Sequence, residues 1–177
     1  MIPPPTLLAA PNVSEGRDGA TVAAIGAAFG GRDCVRLLDK HSDGDHDRSV
    51  FTLAGRPGEM ADALLEGAAA AVARIDVVSA PGEGPGQHPH VGAVDVVPVV
   101  YLDDRARGAA CAEALVVADR IGAELGVPVF LYGALADGRS RAELRRGGPA
   151  GLAQRMRSGE LRPDFGPSRA HPGAGAT

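Results

Sequence analysis

"CVRLLDKHSDGDHDRSVFTLAG", Cys34 to Gly55, is the stretch on which the fold turns. Cys34 to Asp39 reads as one strand and Arg48 to Ala54 as another, with polar "KHSDGDHD" between them, which is the pattern of a β-hairpin with a long loop. Helical segments flank it. Before it, Gly19 to Phe29 is Ala-rich, with Ser14 or Asp18 placed to cap; after it, Pro57 to Arg74 has proline near its start, Glu59 in its first turn and abundant Ala and Leu. Ile75 to Ser79 finishes that helix or forms a short strand. Further upstream, Thr6 to Ala10 reads as a first strand, and "PNVSEGRD", Pro11 to Asp18, as turn chemistry. Downstream come a buried strand over Val91–Tyr101, a long helix over Arg105–Leu125 stopped by Gly126 and Pro128, and a further buried strand in "VPVFLYG", Val127 to Gly133. Ser140 to Arg146 predicts a short helix, and periodicity fades after Met156. The order β-α-β-β-α-β-α-β predicts an α+β fold, a ferredoxin-like mixed β-sheet with helices packed on one face. It forms one domain over residues 1–177, with a Pro-rich start over 1–10 and an extended tail over 157–177.

Composition narrows the function classes. With 45% apolar residues and no Trp in 177, the core must be built from Ala, Val, Leu and Ile. The formal charge of -4, from 22 acidic against 18 basic residues, argues against a nucleic-acid or anionic-membrane surface and leaves room for a local arginine cluster that holds a small anion. Cys34 and Cys111 match no metal pair or disulfide framework and read as reduced thiols. The start lacks a basic n-region, and no apolar run approaches bilayer length, so a cytoplasmic protein is expected.

Several motifs fail on inspection. Asp43, Asp45 and Asp47 in "DGDHD" imitate a calcium loop, but Arg48 stands where that loop needs glycine and Ala54 where it needs glutamate. His41 and His46 fit no zinc spacing. "GEGPG", Gly82 to Gly86, lacks the final glycine and the following helix of a phosphate loop, and "DFG" at Asp164–Gly166 has no kinase partners. No metal is expected. What remains is "QHPH", Gln87 to His90, on the loop entering the Val91–Tyr101 strand. Rigidly held loops concentrate catalytic groups, and histidine titrates nearest neutrality, so His88 is a site candidate beside the alternative of a solvated loop imidazole, with His90 the weaker of the two.

The fragments "PNVSEGRD", "LLD…DRSVFTLAG", "HPHVGAVDVVPVV", "LGVPVFLYG" and "PDFGPS…GAT" occur in an order that resembles the N-terminal subdomain of the formiminotransferase domain, the glutamate formimidoyltransferase family. The likeness runs from Pro11 to Thr177. It implies transfer of a formimino group from N-formimino-L-glutamate to N5 of tetrahydrofolate, the co-substrate, in histidine degradation. It implies that His88, in the family's His-Pro-x-x-Gly-Ala-x-Asp motif, is the general acid/base, and that the folate-binding segment is Gly166-Pro167-Ser168-Arg169-Ala170-His171-Pro172-Gly173-Ala174-Gly175. Arg48 and Arg17 are inferred from charge and loop position as clamps for substrate carboxylates. Where the family carries an aspartate partner for the histidine, this chain places His41, the aligned candidate; because an imidazole cannot orient an imidazolium as a carboxylate does, either Asp39 or Asp43 substitutes or the partner role is absent. The family also implies a second α/β subdomain, in cis or in trans, and a homo-oligomer is expected. A non-catalytic folate-binding or interaction module on the same half is the alternative.

Overall fold

The computed structural model describes residues 5–79 and 90–177. β1 (Leu7–Ala9) and β2 (Asn12–Val13) form one interrupted strand, so the turn expected from Pro11 onward begins only after Val13. α1 (Gly19–Phe29) follows, its first turn closed by the Asp18 carboxylate, which accepts from the Ala20 N–H at 3.0 Å. The hairpin comprises β3 (Val35–Asp43) and β4 (Arg48–Gly55). β3 runs through Lys40 to Asp43, beyond its expected end, because every one of those residues finds a partner on β4. Then come α2 (Met60–Val72), β5 (Val94–Val96), β6 (Val99–Tyr101), α3 (Arg107–Glu124), α4 (Arg141–Arg145) and α5 (Gly148–Ser158). Ile75–Ser79 is neither helix nor strand but a turn held by the Asp76 carboxylate, which accepts from the N–H groups of Val78 and Ser79.

The sheet centres on β4, flanked by β3 on one side and by β1 with β2 on the other; β1 and β2 in turn pair with β6 and β5. Both interrupted strands break at a proline, Pro11 and Pro98, which cannot donate to a ladder. The fold is α+β, and the connectivity over residues 7–101 is β-α-β-β-α-β. The expectation of a mixed sheet is corrected: every pairing of the named strands is antiparallel. The crossovers through α1 and α2 each skip one intervening strand, so parallel strands never become neighbours.

β4 alternates strictly, its Ser49, Phe51, Leu53 and Gly55 buried and the residues between them half-buried. α1, α2 and α3 cover the buried face side by side. Phe29 of α1 meets Phe51 at 5.1 Å between ring centroids, and Gly67 of α2 admits that ring: a Cβ at Gly67 would lie 2.0 Å from it. The α2 N-terminus has no cap of its own. Instead Glu113 of α3, only 6% exposed, accepts from the N–H groups of Gly58 and Ala61 and so locks α3 onto α2. The register puts Asn12, Asp39, His41 and Arg48 together on the other, open face.

Val127–Gly133 departs from expectation. The segment is extended and its Val127, Val129 and Phe130 are buried, but it joins no strand ladder. It makes a single bridge to Phe165, and the chain end pairs along its other edge, with Phe130 N–H donating to Thr177 and Thr177 N–H to Pro128. The expected extended tail is also corrected. Its first residues belong to α5, and Ala174 and Ala176 are buried at 1% exposure. Residues 174–177 lie as a wedge between Val91–Val94 and Pro128–Phe130.

Candidate functional site

Asp95 is the pivot of the site. On β5 it is the extra residue where Asn12 pairs with Val96 and Val13 with Val94, a bulge that turns its side chain out of the alternation. That side chain is fully buried. Its Oδ2 meets Arg145 Nη2 at 2.5 Å and Arg48 Nη1 at 3.4 Å. A buried carboxylate is stable only with such partners. Arg48 is brought by the start of β4. Arg145 is brought by α4, which a Ser140–Glu143 capping box starts and which Arg155 of α5 fastens through the carbonyls of Glu143, Leu144 and Arg146.

Around this cluster lie the hairpin tip and the loop after β2. Gly16 N–H donates to the Asp47 carboxylate at 2.9 Å, Ser49 Oγ donates to the Glu15 carbonyl at 2.6 Å, and Arg17 Nε donates to the Gly44 carbonyl at 2.9 Å. Ser14 Oγ reaches the Gly92 carbonyl at 2.7 Å, tying the loop to the entry of β5. The acidic run that imitates a calcium loop serves the hairpin: Asp43 accepts from the N–H groups of Asp45 and His46 and contacts the His46 ring, an interaction that holds the Asp43 carboxyl below its ordinary value.

His90 stands over the same cluster. Burial holds its pKa below the ordinary histidine value, with the Arg48 charge acting in the same sense, against the opposing pull of Asp95, Asp47 and a hydrogen bond to the His46 backbone. His90 Nδ1, Arg48 Nε and Nη2, and Asp95 Oδ1 are all buried without a hydrogen-bond partner among the described residues. Unsatisfied buried groups are rare in folded proteins, and their concentration at one place makes it the candidate site.

The structure treats the sequence-derived candidates unequally. His88 lies outside the described residues. Arg48 sits in the cluster, and Arg17 lies exposed across the hairpin tip. Asp39 and His41 are exposed on the open face of β3, and Asp43 is engaged in the turn. Of the expected folate segment, Gly166 to Arg169 are exposed, Ala170 and His171 half-buried, and Pro172 exposed. Gly173 N–H and Ala174 N–H donate to His171 Nδ1, and Ala174 and Gly175 are buried against the entry of β5. Gly92 and Gly175 bridge there; a Cβ at Gly92 would fall 1.8 Å from the Ala176 carbonyl oxygen, so only glycine permits the contact. Sequence reasoning missed Asp95 and Arg145. The signal for Asp95 was present: one acid inside an otherwise apolar strand must have a buried partner.

The chain matches the family model described as the formiminotransferase domain, N-terminal subdomain, over residues 6–177. It is 36% identical over 170 residues to the glutamate formimidoyltransferase of Streptococcus pyogenes serotype M1, covering 94% of this chain and 56% of that protein. With the formimidoyltransferase-cyclodeaminase of Sus scrofa it shares 38% identity over 175 residues, 94% of this chain and 31% of the relative. The glutamate formimidoyltransferase of Thermoplasma acidophilum is 36% identical over 163 residues, 89% of this chain and 52% of its own length. The chain thus spans about a third to a half of these relatives. Among the described residues, no helix is long and apolar enough to cross a membrane.

Proposed function

Because the chain belongs to the formiminotransferase domain family as its N-terminal subdomain, we propose that it contributes one wall of a site that transfers a formimino group from N-formimino-L-glutamate to N5 of tetrahydrofolate, a step of histidine degradation. A second α/β subdomain, in cis or in trans, supplies the other wall. The observation that carries this reading is where the described neighbours of residues 80–89 stand. On one side Val77 N–H donates to the Gly173 carbonyl at 2.9 Å, within the proposed folate segment. On the other, His90 rests on Arg48 and Asp95. His88 is thereby bracketed in sequence by residues that touch both halves of the proposed site.

The chemistry asks for a proton carrier and anion donors. Attack of N5 on the amidine carbon forms the new C–N bond; N5 loses its proton, the departing glutamate nitrogen gains one as its C–N bond breaks, and 5-formimino-tetrahydrofolate and glutamate result. His88 serves as the base and then the acid. The unpartnered Nε and Nη2 of Arg48 are the donors a substrate carboxylate would take, with Arg17 as the outer clamp. Asp95 fixes the Arg48 guanidinium from behind. The ribbon Gly166 to Pro172, exposed over Gly166 to Arg169, offers folate a flat backbone, with Arg169 for its anionic tail.

The test is steady-state formimino transfer by this chain alone and mixed with the C-terminal subdomain of a relative. His88→Ala is expected to lower kcat by roughly 10²–10⁴-fold with folate affinity little changed, and His90→Ala to do much less. A His88→Ala protein with near-normal kcat would remove His88 from proton transfer. Folate binding without transfer in every combination would favour the non-catalytic module.

A further inference from the structure

Behind Asp95 the fold leaves a cavity of ≈ 250 Å³ that the proposed transfer does not use. The wedge of residues 174–177 fills the gap between Val91–Val94 and Pro128–Phe130. Beyond it the free edge of β5 and β6 faces Phe130–Leu135 with no strand between. The floor is apolar, formed by Val97, Val99, Ala114, Val117, Phe130 and Leu144. The rim is cationic. Arg141 Cζ stands 5.7 Å from the centroid of the Tyr132 ring, and Arg145 reaches in from α4 with Asp95, its paired carboxylate, shared with Arg48. Arg141 pairs with no carboxylate among the described residues. The cavity opens where its wall residues Tyr101, Ala134 and Arg141 are exposed.

An apolar cavity of about 150 Å³ admits a benzene ring, so this one has room for a fused aromatic pair or an equivalent aliphatic body. A polar body would strand its groups against the valines and alanines, while Arg141 and Arg145 at the rim complement an anionic group at one end of an apolar body. We infer that the cavity binds a small organic anion with an aromatic or aliphatic body and a terminal carboxylate, the body against α3 and the carboxylate on Arg141 and Arg145. The inference stands apart from the transfer reaction. Its chemistry is met by a free aryl or alkyl carboxylic acid.

Titration of the chain with 2-naphthoate, followed by naphthalene fluorescence, tests it, together with protection of Cys111, which lines the cavity, against iodoacetamide; exposed Cys34 is the internal reference. The expected result is saturable binding that slows Cys111 alkylation at least tenfold with Cys34 unaffected, at least tenfold weaker binding of neutral 2-naphthamide, and loss of both effects in Ala114→Phe. 4-Aminobenzoyl-L-glutamate in competition should leave naphthoate bound; displacement would assign the cavity to the folate of the transfer reaction and overturn the inference of a separate site. Absence of binding at millimolar naphthoate, equal binding of the amide, or binding that survives Ala114→Phe overturns the inference, whatever His88→Ala does to transfer.

Discussion

Replacing Asp95 by asparagine keeps the shape of the side chain and removes the charge that answers two guanidinium groups. Removing one partner of a buried ion pair costs roughly 3–5 kcal/mol because the other is left without a counter-charge. Here the side chains of Arg48 and Arg145 keep 18% and 25% exposure, so water recovers part of that penalty, and a loss of about 2–4 kcal/mol is expected. For a domain of this size each kcal/mol moves the midpoint by about 2–4 °C, so calorimetry should find Tm lowered by roughly 5–15 °C. Urea unfolding should show the midpoint falling at unchanged slope. Arg145→Gln in the Asp95→Asn background should cost less than it does alone, since its partner has already gone; the coupling should be about 1 kcal/mol or more. A single-variant loss under about 1 kcal/mol, or strict additivity, would refute the description of Asp95 as the buried pivot of the site.

Three further outcomes follow from other contacts. Glu113→Ala strands the Gly58 and Ala61 N–H groups at the start of α2 and should lower stability by about 1–3 kcal/mol in urea unfolding; an unchanged midpoint would show that water caps α2 instead. His90 takes its proton less readily in the fold than its ordinary value of 6.5, so the unfolded chain binds more protons as pH falls through that value, and stability falls with pH. The wild type should therefore lose more stability than His90→Gln between pH about 7.5 and 5.5, and parallel pH profiles would rule this out. Gly92→Ala should release the chain end, read as faster amide exchange over residues 174–177 with α1 and α2 still protected; unchanged exchange there would mean the strand entry shifts to accommodate the methyl.

Where local chemistry decides, the sequence was readable. α1 spans the expected residues because Asp18 caps it and an alanine-rich run follows. β3 was harder, since its residues after Val35 are exposed, and no apolar alternation marks where the strand ends; its length is set by pairing with β4, a partner that local reading does not weigh. α5 was missed for the opposite reason. Gly148, Pro149 and Gly151 look like turn residues, yet Pro149 sits in the first helical turn and Gly147 and Gly159, at φ 81° and 77°, close the two ends.

Of the candidate cluster of Arg48, Asp95 and Arg145, only Arg48 was singled out from the sequence, and the residues that hold it were not. The resemblance picked out His88, and charge picked out Arg48; what neither conveyed is that Arg48 is aimed by an aspartate from another strand. Asp95 stands on β5, Arg145 on α4 and Arg48 on β4, separated by 50 residues between Asp95 and Arg145, and nothing in local periodicity joins them. The link is an energetic requirement. A carboxylate in the run "VGAVDVVPVV" cannot be buried alone, and among the described residues the cations that reach it, Arg48 and Arg145, are ones the fold carries past β5. The same reasoning explains the chain end. Residues 174–177 are small and carry little local preference, but Gly92 and Gly175 let two backbones close to bridge distance, and the entry and edge of β5 away from β2 take them up. The wedge then fills one end of the gap beside β5 and leaves the other as a cavity. One packing event thus places the end of the proposed folate ribbon against Val91 to Ala93, just past His90, and bounds the pocket behind Asp95, so a substitution that frees the wedge should disturb both together.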